Sequence, residues 1–265
     1  MKLITVILIL LSAQFVSAQD WAREKVEKSP RHHEWVTVKH GDRSVESFIV
    51  YPESKQKSPV ILVIHTVAGM IDWVQDEADQ LAEAGYIAIA PDLLSGMGPN
   101  GGRSDSFPPG KANEAMGKLP KDQITADLNA AADYALKVPS SNGKLLVVGF
   151  CLGGNESFRF ATNRPDLKAV FVFYGTPPPS ADMARIAAPV YAFYGGADNR
   201  VTSTMATAAE NMKAAGKTFE AEVYDGAGHG FMQQGEDPAG NAANRKAEQD
   251  SWVRWKALLA KLMNG

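Results

Sequence analysis

The chain has 265 residues, 45% of them apolar, with 27 basic and 30 acidic side chains giving a formal charge of −3. That balance excludes the basic footprint expected of a protein that binds nucleic acid or an anionic membrane surface. The single cysteine excludes an internal disulfide, so stability has to come from a packed core.

The first residues combine one positive charge, Lys2, with an apolar run over 3–11 and the small-residue stretch Val16-Ser17-Ala18. This pattern reads as a secretory signal cut after Ala18 and predicts a secreted or periplasmic protein. The apolar run is short for a membrane span and no later run approaches one, so no membrane contact is expected after signal removal. Residues 19–265 then suit a single α/β domain. None of these features encodes an oligomeric state.

Residues 19–34 are polar and charged and read as a surface lead, with His32, His33 and, in the hairpin that follows, His40 as surface groups. Segments 35–39 and 44–51 predict two strands around His40-Gly41-Asp42-Arg43, an antiparallel hairpin. The continuous apolar run 60–64 predicts a central strand. A helix over 71–84 ends at Gly85 and is followed by a strand over 86–90. Beyond it the pattern predicts a helix at 121–138, a strand at 145–150 and a helix at 152–163. Strands at 169–173, 190–194 and 219–224 follow, with a helix over 203–215 before the last. Trp252, Trp255, Leu259 and Leu262 recur at helical spacing, which predicts a terminal helix packed on the core. The result is an α/β chain with a doubly wound, mostly parallel sheet and an antiparallel N-terminal hairpin at its edge. One segment, 91–120, breaks the alternation with six glycines interleaved with prolines. It follows the carboxyl end of a strand, where open α/β sheets bind ligands, so it reads either as a substrate-access wall or as a solvated excursion.

The chemistry gathers at 145–154. Leu145, Leu146, Val147 and Val148 make a short buried-strand pattern, and Gly149, Cys151 and Gly153 follow as Gly-x-Cys-x-Gly. This is a nucleophile elbow with cysteine in the serine position. The flanking glycines make room for a tight strand-to-helix turn. The helix that follows turns its N-terminal N–H groups toward the sulfur and favours thiolate.

An acid and a base follow in the matching order. Asp198 closes Gly195-Gly196-Ala197-Asp198 after one strand, and His229 sits in Asp225-Gly226-Ala227-Gly228-His229-Gly230-Phe231 after the next. Asp225 is the rival acid, disfavoured because it shares a loop with His229. The backbone N–H of Leu152 and that of Val67, in His65-Thr66-Val67-Ala68-Gly69, are the expected oxyanion donors. His65 either orients that loop through a hydrogen bond or fills space.

With these pieces in place the chain resembles the dienelactone hydrolase family of α/β-hydrolases. The matching strings are Gly149-Phe150-Cys151-Leu152-Gly153-Gly154, Pro91-Asp92-Leu93-Leu94, Gly196-Ala197-Asp198 and Gly228-His229-Gly230-Phe231. The resemblance implies the α/β-hydrolase fold with an eight-stranded or similar sheet and a Cys151-His229-Asp198 triad. It also implies hydrolysis of a small-molecule ester or lactone without metal or organic cofactor. Family members acting on dienelactone carry a glutamate where this chain has Thr66. Their carboxylate-binding arginines fall where it reads Ser95-Gly96-Met97 and Phe231-Met232-Gln233. Arg103, inside the excursion, is the substitute candidate, and His65, Thr66 and Phe231 complete the pocket candidates. A neutral ester or lactone is therefore expected. The alternatives are a phosphotriester electrophile, acyl transfer to an acceptor other than water, and a non-catalytic binding module. With no resolving cysteine in the chain, thiol redox chemistry would be limited to intermolecular exchange.

Overall fold

A computed structural model describes residues 19–263. The expected signal, 1–18, lies outside the described residues. In chain order the elements are α1 (Asp20–Glu27), β1 (His33–His40), β2 (Arg43–Val50), β3 (Ser58–Ile64), α2 (Asp72–Glu83) and β4 (Ile87–Pro91). Next come α3 (Lys111–Met116), α4 (Lys121–Lys137), β5 (Ser141–Phe150), α5 (Leu152–Phe160), β6 (Leu167–Phe173) and α6 (Ser180–Met183). The chain continues through β7 (Val190–Gly195), α7 (Asn199–Thr202), α8 (Met205–Ala214), β8 (Phe219–Tyr224), α9 (Phe231–Glu236) and α10 (Ala242–Met263).

The eight strands form one sheet in the order β1-β2-β4-β3-β5-β6-β7-β8. β1–β2 and β2–β4 pair antiparallel and all other pairs are parallel, as the hairpin-then-alternation pattern predicts. Every residue of β3 is buried. Its alternation splits the core into two layers, with Val60, Leu62 and Ile64 facing one and Ile61 and Val63 the other. On the first layer lie Ile124, Leu128 and Ala131 of α4. On the second lie Trp73 and Leu81 of α2 with Trp252, Trp255 and Leu259 of α10. Each such large apolar side chain contributes about 1.5–3 kcal/mol of burial, so the sandwich holds the strand ends rigidly.

Two expectations need correction. Segment 19–34 is more than a surface lead, because α1 buries Ala22 and Val26 against the second layer. Its Lys25 bonds Asp76 of α2 at 3.0 Å, and Ser29 and Arg31 bond Asp79 at 2.6 and 3.0 Å. Two apolar positions among charges are too few to read from sequence, and the α2 carboxylates supply the rest. Segment 91–120 is also not simply a solvated excursion, one of its two expected readings. It contains short 3-10 turns at Pro99–Gly101 and Ser104–Ser106, and it buries Ala112 and Met116 of α3 with Leu119. The helix expected at 203–215 is α8, and the short α7 precedes it.

Candidate active site

The elbow comes first, because the backbone fixes it. Cys151 adopts φ 58° and ψ −114° between β5 and α5, a left-handed conformation that a side chain rarely takes. Its own N–H donates to Phe173 O at 3.1 Å. A Cβ on Gly149 would overlap the Gly153 carbonyl, and one on Gly153 would overlap the Ile64 carbonyl in β3. The two glycines are thus demanded by backbone crossing backbone.

His229 reaches this sulfur from the loop after β8. Its Nε2 lies 3.0 Å from Cys151 Sγ and its Nδ1 lies 2.6 Å from Asp198 Oδ2. Asp198 also caps α7, its Oδ1 accepting the Val201 N–H at 3.4 Å. The rival Asp225 is exposed, and no hydrogen bond from it to His229 is made. Because Nδ1 faces a carboxylate, it carries the proton, and Nε2 is left to exchange one with sulfur.

The electrostatics agree with that geometry. Burial pushes the Cys151 thiol up, but the His229 hydrogen bond and charge, with the N–H groups of Leu152 and Val67, outweigh it and hold the thiol below its ordinary range. The hydrogen bond to Cys151 raises His229 against partial burial, and Asp198 adds to the rise. Both shifts favour a thiolate–imidazolium pair.

The Leu152 and Val67 N–H groups both favour the charged form of the sulfur. Val67 is held in a tight turn in which Gly69 N–H donates to Thr66 O at 3.1 Å and Ala68 N–H donates to Thr66 Oγ1 at 3.2 Å. Thr66 therefore spends its hydroxyl on the turn. His65 is fully buried; its Nδ1 donates to Thr66 O at 2.7 Å and its Nε2 accepts the Leu93 N–H at 3.2 Å. Burial lowers its pKa, so the ring is neutral and serves as a strut between this turn and the segment after β4.

Two pocket candidates are placed elsewhere. Gly230, at φ 74°, turns α9 inward, and Phe231 ends fully buried between Tyr174 and Tyr224, with ring centroids 5.2 and 5.3 Å away. Arg103 stacks its guanidinium 3.7 Å from the Trp35 ring centroid and pairs with Asp105. His40 is not a free surface group either, since it bonds Asp127 at 2.7 Å.

Three contacts at the site went unread in the sequence. Arg200 Nη2 stands 3.5 Å from His229 Nδ1; its place two residues after Asp198, in the helix that Asp198 caps, was a usable signal. Tyr174, at φ 40°, lays its ring edge-on to His229 with centroids 5.1 Å apart. Gln234 donates to His229 O at 2.7 Å, a contact with no local signature. Among the described residues, no group of three His, Cys, Asp or Glu side chains is arranged to hold a metal ion.

The comparisons with known proteins meet the same residues. The model of the dienelactone hydrolase family matches 45–263, which takes in the elbow, Asp198 and His229. An Escherichia coli K12 protein provisionally named carboxymethylenebutenolidase is 31% identical over 207 residues, 74% of each chain. A Methylorubrum extorquens relative with the same provisional name is 30% identical over 233 residues, covering 83% of this chain and 77% of its own length. Among solved structures, a Klebsiella pneumoniae protein provisionally described as a dienelactone hydrolase superposes with a TM-score of 0.76. It is 25% identical, and the match covers 87% of this chain and 98% of that one. A dienelactone hydrolase-like promiscuous phosphotriesterase from metagenomic libraries, 22% identical with a TM-score of 0.75, shares the fold over 88% of this chain and 98% of its own. With the elbow string, the strand order and the family match falling on one set of residues, this chain belongs to the dienelactone hydrolase family.

Proposed function

We propose that the protein hydrolyses small neutral carboxylic esters or lactones through a thioester on Cys151, with His229 as acid and base and Asp198 as its orienting carboxylate. In the resting pair the proton sits on His229 Nε2 and the sulfur is thiolate. The thiolate attacks the acyl carbon, and the carbonyl oxygen, now an oxyanion, accepts the Leu152 and Val67 N–H groups. As the C–O bond breaks, His229 Nε2 gives its proton to the departing alkoxide. Water then attacks the thioester, His229 takes the water proton, and the carboxyl product leaves as the C–S bond breaks. This returns the thiolate–imidazolium pair, so no proton or electron is left over.

The observation that carries this reading is the unbroken row from Asp198 Oδ2 through both nitrogens of His229 to Cys151 Sγ, at 2.6 and 3.0 Å. The arginine candidate Arg103 is engaged with Trp35 and Asp105, which supports a neutral acyl group. The test is a panel of aryl ester, neutral lactone, carboxylate-bearing lactone and phosphotriester, assayed with the full chain and with Cys151→Ala. Turnover of the neutral ester or lactone that the alanine variant abolishes is expected. Turnover that survives the substitution overturns the reading, and turnover of the phosphotriester alone replaces the electrophile. The basic, apolar and small-residue order of 1–18 supports export as part of this proposal, and cell fractionation tests it.

A further inference from the structure

The loop that carries His229 is intrinsically loose. Gly226, Gly228 and Gly230 occupy three of its five positions from 226 to 230, and two of them take left-handed φ of 67° and 74°. Asp198 restrains the imidazole only at Nδ1. Rotation about that one contact would leave Nε2 free to swing away from the sulfur, so something else has to hold the backbone.

Two side-chain amides do so, in series. Gly228 N–H donates to Asn244 Oδ1 at 2.9 Å, Asn244 Nδ2 donates to Gln234 Oε1 at 2.8 Å, and Gln234 Nε2 donates to His229 O at 2.7 Å. The donor entering the Gly228–His229 pair and the acceptor leaving it are thus both tied, and the chain of bonds closes on itself. Its middle member is fixed in turn. Asn244 is 1% exposed in the first turn of α10, and its own N–H donates to Asn241 Oδ1 at 2.8 Å. A buried amide with both ends satisfied accounts for a polar side chain at a position otherwise suited to an apolar one.

We infer that Asn244 and Gln234 are positioning residues for His229, an amide clamp that holds its backbone so that Nε2 stays at the Cys151 sulfur. The inference rests on the proposed role of His229. The amides bond the backbone on both sides of the Gly228–His229 link, so their effect passes through the histidine's placement, to which a reaction of this kind is steeply sensitive.

The experiment compares Asn244→Leu, Gln234→Met and the double variant with the full-length wild type and with Cys151→Ala. Both substitutions keep the side-chain shape and remove the hydrogen bonds. Expected are a kcat for the aryl ester lowered about tenfold in each single variant, with KM within about twofold of wild type. The ultraviolet thiolate signal should titrate at higher pH, because His229 sits less firmly at the sulfur. Members of one chain fail together, so the double variant should lose no more than the worse single. Asn244 is buried and its variant is checked by circular dichroism; Gln234 is exposed, so its variant tests the clamp without threatening the fold. Wild-type kcat and thiolate titration in Gln234→Met, or losses that add in the double variant, overturn the clamp. If Cys151→Ala keeps its turnover, the proposed function fails, and the thiolate titrations still decide the clamp.

Discussion

Glu77 of α2 is fully buried with neither oxygen meeting an N–H or hydroxyl donor among the described residues; the group within hydrogen-bond reach is the carboxyl of Glu236 at the end of α9. Two carboxyl groups meet there, with Asp76 of α2 and Glu248 of α10 close by and Lys25 of α1 as their bonded cation. Gln80 also donates to Glu236, at 3.0 Å.

Stability should therefore fall as pH rises. Burial, followed by the neighbouring Glu236, holds Glu77 well above 4.5 and pushes Asp76 and Glu248 up to about 7. A carboxyl raised on folding binds its proton more tightly in the folded state. Its stabilisation is whole below the unfolded value near 4 and is lost as pH rises through the folded one. The melting temperature should decline between about pH 5 and about pH 8. Glu77→Gln, which cannot ionise and can donate to Glu236, should flatten that decline. A variant with the wild-type slope would remove Glu77 as its cause.

The Cys151–His229 pair predicts its own window. Thiolate should appear below the ordinary thiol value of 9.0, and the limb on which His229 loses its proton should lie above 6.5. Asp198→Asn removes one of the causes that raise His229, so that limb should move to lower pH. Turnover should fall by about two to four orders of magnitude. The pH–rate profiles of both proteins decide the matter; an unmoved limb would detach Asp198 from the histidine.

His65→Leu should lower activity without touching substrate. It leaves the buried Leu93 N–H without its acceptor, at a cost of about 1–3 kcal/mol, and takes from Thr66 O one of its two hydrogen bonds. The turn that presents Val67 should loosen, giving a lower melting temperature and a lower kcat together. Thermal unfolding beside single-substrate kinetics measures both, and a stable, fully active variant would show the strut to be dispensable.

Cys151 should be silenced by peroxide and restored by a thiol reductant. Its sulfur is half-buried yet reachable and is held toward thiolate, and the chain has no second cysteine to trap the sulfenate. Activity that peroxide leaves intact would argue against an accessible thiolate.

The sequence revealed whatever depends on neighbours along the chain. β3 and β5 announced themselves as unbroken apolar runs, and the elbow showed its glycines because backbone crowding leaves no other residue type there. Asp198 and His229 were legible because each closes a strand pattern. What stayed hidden depends on contacts between distant segments. α1 docks through two apolar residues and through charges complemented only by α2, which no local pattern reports. Phe231 was misread as pocket lining because adjacency to His229 says nothing of direction, and the left-handed Gly230 sends it inward. Arg103 was read for its charge, while the structure gives that charge to Trp35 and Asp105. The Asn244 amide reaches its partners only after α10 has packed.

The segment after β4 is anchored by one buried carboxylate. Asp92 accepts the Leu94 and Ser104 N–H groups at 2.9 and 2.8 Å and the Ser104 hydroxyl at 2.6 Å, and Gly69 of the Val67 turn lies directly against Ser104. The first part of this segment is thus pinned beside the Val67 turn. Loss of that one carboxylate would strand three donors at once, so the seating of 94–104 against the turn hangs on a single side chain.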